Sequence, residues 1–272
     1  MPAVLLAEPE PAAPPPPPPE PPPPPPRRAV ASYYDAARSP VASLLFVLPF
    51  LAVYEVGVRV AGPEAIVARN PADIWMRLTL MDAGWTGVWT LPALVVGTLL
   101  VWEAVRHYRA EPQAAVNGRL MVAMLTEAVA AAWVLVLVGQ ACGMLLRVGG
   151  LMSLSGDARS PAEWAAACVG AGLYEETLFR LWGLPALYLT LRLFLVPRKI
   201  AAGSAVLLSS LLFAAAHYLA GGFENTAAEW FGFGFRFAAG GAFAALLVTR
   251  GFGVAVGAHV IYDATVLLLA AV

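Results

Sequence analysis

The feature that most constrains this chain is a series of apolar runs of membrane length. They lie near residues 41–60, 88–105, 120–146, 201–220, 233–249 and 252–272. About 20 consecutive apolar residues cross the ~30 Å hydrocarbon core of a bilayer as a helix, so each run reads as a transmembrane segment. A seventh, from about Pro161 to Trp182, is apolar apart from a small charged cluster. Charged residues make up 13% of the chain, against ~25% for an ordinary soluble domain. The expected fold is therefore all-α: a polytopic transmembrane helical bundle of seven to eight spans. The eighth depends on whether the shorter apolar piece Leu184–Val196 crosses.

The organisation around these spans is simple. Residues 1–39 read as a disordered, proline-rich tail, with runs at Pro14–Pro19 and Pro21–Pro26 split by Glu20. Such a segment adopts extended polyproline II and builds no core. It lacks the basic start and apolar centre of a signal peptide, and it offers a docking site to a proline-binding partner. Residues 40–272 form the membrane domain. Within it, 61–87 read as an interfacial stretch broken by Pro63, Asn70, Pro71 and Asp82, with Trp75 and Trp85 at the membrane boundary. Glu55 in the first span is expected to pair with Arg59 at i+4. Cys142 and Cys168 read as small core residues, without a disulfide framework or a zinc pattern.

Charge narrows the setting. The formal net charge is −1, so nothing points to nucleic acid. Basic residues precede the first span (Arg27, Arg28, Arg38), follow the second (Arg106, Arg109, Arg119) and follow the charged-cluster span (Arg192, Arg198, Lys199). Basic residues favour the cytoplasmic side. An integral, multi-pass protein of the plasma (inner) membrane with a cytoplasmic N-terminus is therefore expected, although Arg59, Arg69 and Arg77 fall on the opposite side in this scheme.

Against this apolar background, the few ionisable residues within the spans carry information. A charge at the bilayer centre costs ~2.5–3.5 kcal/mol on insertion scales, so such groups mark function by default. Glu175, Glu176 and Arg180 lie in one run. On a helix Glu176 and Arg180 share a face, while Glu175 points about 100° away. That suggests a structural ion pair and a carboxylate free to face a cavity as a general base. Two of the chain's three histidines, His217 and His259, lie in later spans; the third, His107, ends the second span as an interfacial residue. Phe213 precedes His217 by one turn. Asp263 follows His259 at i+4 and can orient its ring.

Together these residues resemble a known family. Glu175-Glu176-Thr177-Leu178-Phe179-Arg180 is similar to the EExxxR motif of the CPBP intramembrane proteases, also called the CAAX-protease and bacteriocin-processing, or Abi, family. Phe213-Ala214-Ala215-Ala216-His217 is similar to its FxxxH motif, and His259-Val260-Ile261-Tyr262-Asp263 to its HxxxN/D motif. The resemblance covers residues 160–272. It implies hydrolysis of a peptide bond in a membrane-associated protein or peptide. Glu175 and His217 would activate the attacking water. His259 and Asp263 would orient or stabilise the oxyanion, and Glu176, Arg180 and Phe213 would support the site. Asn is usual at the last motif position in the eukaryotic CAAX-processing members, where Asp263 stands here, so that branch is not specifically implied.

The family has been described with and without a catalytic metal. Glu175, His217 and His259 are the set that could hold zinc, but there is no HExxH motif. The favoured expectation is that no cofactor is required. Two other classes fit the composition: a non-catalytic membrane immunity or scaffold protein, and a proton-coupled transporter. A transporter predicts paired half-chain repeats, whereas here the polar motifs crowd into the C-terminal half.

Overall fold

The protein is described by a computed structural model over residues 33–60, 69–109, 111, 115–145, 161–219 and 221–270. The proline runs and the polar loop 147–160 lie outside the described residues. The regular structure described is helical throughout: α1 (Tyr33–Ala37), α2 (Pro40–Val60), α3 (Pro71–Asp82), α4 (Thr90–Tyr108), α5 (Gly118–Leu145), α6 (Pro161–Gly170), α7 (Leu184–Leu193), α8 (Arg198–Ala216), α9 (Ala227–Arg250) and α10 (Phe252–Ala270). Between α6 and α7 run two π-helical stretches, Ala171–Glu175 and Thr177–Gly183.

Five helices, α2, α5, α8, α9 and α10, are long and apolar enough to cross a membrane. The protein is a multi-pass integral membrane protein of all-α architecture. Two of the seven expected spans fall outside these five. Glu103 and Arg106 lie in the last turns of α4, and Glu163, Glu175, Glu176 and Arg180 interrupt the apolar character of the segment from α6 onward. Helix α5 has 28 residues, about 42 Å at 1.5 Å per residue, an excess over a ~30 Å core that tilting can take up.

Leu184–Val196 is not a separate crossing. Gly170, Glu176 and Gly183 all have right-handed helical backbone angles. One winding therefore runs from Pro161 to Leu193, and α7 prolongs the helix that carries the Glu-Glu pair. Two further expectations shift. The tail is expected to reach residue 39, yet α1 is helical, Ala37 is fully buried, and Tyr33 donates to Glu127 on α5 at 2.9 Å. Asn70 and Pro71, expected as breakers, instead start α3: the Asn70 side chain accepts from the Ala72 amide, and Pro71 takes the first helical position, where its missing N–H costs nothing. Of the cysteines, Cys168 is buried and Cys142 is exposed on α5.

Helix α10 is the axis of the bundle. Every residue from Gly251 to Val260 is buried, and the helix packs on α2, α5, α6, α9 and the first π-helical stretch. A helix apolar on all sides is one enclosed by others. Close approach is set by glycine. A Cβ on Gly172 would lie 2.7 Å from the Val260 amide nitrogen and 3.1 Å from the Val256 carbonyl oxygen. Gly251 turns α9 into α10 with φ +96°, and a Cβ there would meet the Ala37 carbonyl at 2.6 Å.

A polar network anchors α3 and α2 to the π-helical segment. Arg77 bridges Glu55 (2.7 Å) and Asp73 (2.5 Å). Arg59 pairs with Glu55 at 2.8 Å, as expected, and Arg69 with Asp73 at 2.5 Å. The Tyr174 hydroxyl donates to Glu55, and the Tyr54 hydroxyl to Asp73. The three arginines that ran against the basic-side pattern are thus held by buried carboxylates.

Candidate active site

The π-helical winding shapes the site. A π turn takes more residues than an α turn and is found disproportionately at functional sites. Here it presents Glu175 and Glu176 to two different neighbours, while Thr177 turns its hydroxyl back onto the Leu173 carbonyl at 2.8 Å. Glu176 and Arg180 are fully buried, and their ion pair spans 3.2 Å, as their spacing predicted. Arg180 also donates to the Gly240 carbonyl on α9 at 3.2 Å, and its guanidinium lies 4.1 Å from the centre of the Phe213 ring.

Glu176 does more than pair with Arg180. Its Oε1 accepts from His259 Nδ1 at 2.8 Å. A carboxylate acceptor there requires Nδ1 to carry a proton, which leaves Nε2 as the ring's cavity-facing atom. Asp263, expected to fix that ring, instead lies 3.6 Å from Nε2. Phe243 stacks on the His259 ring at 4.6 Å with a 12° interplanar angle.

His217 caps the C-terminus of α8. Its Nδ1 donates to the Phe213 carbonyl at 2.8 Å; a carbonyl only accepts, so Nδ1 is protonated and Nε2 of the neutral ring is an acceptor. Phe213 lies edge-on to both imidazoles, 4.9 Å from His217 and 5.8 Å from His259. It therefore separates and braces the two histidines.

Glu175 sits between them. Its Oε2 is 3.7 Å from His217 Nε2 and 3.9 Å from His259 Nε2, and this buried oxygen makes no hydrogen bond within the protein. Its Oε1 accepts from Asn70 Nδ2 at 2.8 Å, across 105 positions of sequence. Glu175, His217, His259 and Asp263 all line one cavity of about 480 Å³, together with Asn70 and Tyr262. A smaller void of about 50 Å³ reaches Glu175 and His217 between Pro71, Trp75 and Phe179. The structure thus gathers the four expected site residues at one cavity, which Phe213 also lines, with Glu176 and Arg180 buried behind them.

Asn70 is the contact that sequence reasoning passed over. The signal was present: Asn-Pro followed by Asp is a helix start, which makes Asn70 an ordered residue rather than a loop breaker.

Glu175, His217 and His259 are the residues that would hold a metal ion here, although among the described residues no group of three or more His, Cys, Asp or Glu side chains is disposed to hold one. Ligand atoms about 2.0 Å from a tetrahedral zinc lie roughly 3.3 Å apart, closer than the 3.7 and 3.9 Å found around Glu175 Oε2. A water molecule suits the gap better: the oxygen and His217 Nε2 are both acceptors, and water has two protons to give them.

No curated protein and no solved structure matches this chain. Residues 158–265, less than half of its length but including all three motifs, match the family model described as Type II CAAX prenyl endopeptidase Rce1-like, the family these motifs resemble.

Proposed function

We propose that the protein is an intramembrane endopeptidase of the CAAX-protease type, hydrolysing a peptide bond in a membrane-associated protein or peptide. The observation that carries this reading is the unpartnered Oε2 of Glu175, buried beside two imidazole Nε2 atoms at the edge of a cavity large enough for a peptide segment. The matched family supplies the reaction class.

In this mechanism a water donates one proton to Glu175 Oε2 and the other to His217 Nε2, which turns a lone pair of its oxygen toward the cavity. Attack on the substrate carbonyl carbon forms the new C–O bond as Glu175 takes the water proton and charge develops on the carbonyl oxygen. His259 flanks that oxygen, and Asp263, 3.6 Å from His259 Nε2, orients the ring. With Nδ1–H committed to Glu176, His259 donates to the carbonyl oxygen through Nε2, which requires the ring to act as an imidazolium carrying a proton on both nitrogens. Collapse breaks the C–N bond, and the proton held by Glu175 passes to the leaving amine. No step is routed through a metal. The small void beside Pro71 and Trp75 exceeds the ~10–15 Å³ a single water needs, so it is a reservoir for the next water.

Arg27, Arg28 and Arg38 ahead of the first span favour a cytoplasmic N-terminus. A prenylated CAAX protein is the substrate class named by the matched family. The test compares peptide termini in membranes from cells expressing wild-type or Glu175→Gln protein at equal abundance. New termini confined to wild type support the proposal. Identical termini favour the immunity, scaffold or transporter readings instead.

A further inference from the structure

The segment that matches the protease family does not contain everything that touches its candidate base. Glu175 Oε1 is held by Asn70, which lies in the N-terminal half, outside residues 158–265. Asn70 is buried, with 8% of its surface exposed, and all its local contacts are fixed. Its side-chain oxygen accepts from the Ala72 amide at 2.8 Å, its backbone N–H donates to the Tyr54 hydroxyl at 3.2 Å, and only its amide nitrogen is free to reach Glu175. The capping bond also settles which way the amide faces. The oxygen is taken by Ala72, so the NH₂ must be the group at 2.8 Å from the carboxylate.

We propose that Asn70 is the positioning residue for Glu175, fixing Oε1 so that Oε2 alone is presented to the attacking water. This rests on the hydrolytic reading above. A carboxylate has two equivalent oxygens and rotates freely about its last bond. One charge-assisted hydrogen bond to Oε1 removes that freedom and leaves a single orientation facing the histidines. The mounting is rigid. Asn70 begins α3, Asp73 one turn later is locked by Arg69, Arg77 and Tyr54, and Tyr174, next to Glu175, is tied to the same network through Glu55. The N-terminal half thus sets the aim of the base that the C-terminal half supplies.

Capping and positioning can be separated by substitution. Asn70→Asp keeps an N-cap of equal strength but loses the donor and sets a second carboxylate against Glu175. Asn70→Ala loses both roles. The experiment uses full-length protein in nanodiscs and a farnesylated, fluorescence-quenched CAAX peptide as the probe, alongside wild type and Glu175→Gln. The expected result is that Asn70→Asp keeps KM within about twofold yet loses about 100-fold in kcat, the scale of a misplaced catalytic group, with a lower melting midpoint from the second buried carboxylate. Asn70→Ala loses kcat similarly and also melts lower. If wild type cleaves, Glu175→Gln does not, and Asn70→Asp retains wild-type kcat, the positioning role is refuted while the hydrolase stands. If wild type fails to cleave, or Glu175→Gln cleaves equally, the hydrolytic reading with this probe fails first.

Discussion

Arg180→Met is the sharpest test of how the site is held together. Arg180 is fully buried, as is its partner Glu176, and both lie within the membrane domain. Methionine occupies a similar stem but takes away the charge, the 3.2 Å ion pair, the hydrogen bond to the Gly240 carbonyl and the cation over Phe213. Glu176 then keeps a single hydrogen-bonded partner, His259. Removing one member of a buried ion pair strands the other and costs about 3–5 kcal/mol. At ~2–4 °C per kcal/mol for a chain of this size, the melting midpoint should fall by roughly 6–20 °C. The loss should shrink in Arg180→Met/Glu176→Gln, because no charge is then stranded. The assay is thermal unfolding in a fixed detergent, followed by size exclusion, for both single variants and the double. An Arg180→Met protein as stable as wild type would refute the reasoning. So would a double variant whose loss equals the sum of the singles, since contacting residues should couple by at least 0.5 kcal/mol.

Two further outcomes follow from the geometry. Gly172→Ala places a methyl 2.7 Å from the Val260 amide nitrogen, forcing the π-helical segment away from α10. It should destabilise by about 1–3 kcal/mol and reduce cleavage by separating Glu175 from His259, as measured by melting and by peptide turnover. Incubation with a zinc chelator such as 1,10-phenanthroline, followed by its removal, should leave turnover within twofold of the untreated protein. Loss of activity restored by added zinc would overturn the metal-free scheme.

How much was legible beforehand depended on contrast. Glu175, Glu176, Arg180, His217, His259 and Asp263 stand out because charged and imidazole groups are rare in apolar runs, and their i+4 spacings correctly put Arg180 beside Glu176. The helical class followed from run length alone. Other features had no such contrast. Nothing in a 3.6-residue pattern announces π winding, so the double use of Glu176, on Arg180 and on His259, was not apparent. Leu184–Val196 read as a further apolar piece, yet the backbone stays helical through Gly183 and Pro185 as far as Leu193. Asn70 was legible as a helix start but not as a partner of Glu175. Its contact with Glu175 spans 105 positions, and an uncharged side chain among helix breakers gives no local hint of a distant partner. The buried positions of Glu55 and Asp73 likewise depend on arginines that arrive from other turns and another helix.

The central claim is that water, activated at Glu175, cleaves a peptide bond. The most direct measurement places purified wild-type and Glu175→Gln protein in nanodiscs with the farnesylated CAAX peptide in H₂¹⁸O, and reads the products by mass spectrometry. The account predicts that wild type yields a newly formed carboxylate carrying one ¹⁸O and that Glu175→Gln yields no product. Equal cleavage by the two proteins, or a wild-type product whose new terminus contains no ¹⁸O, would contradict it.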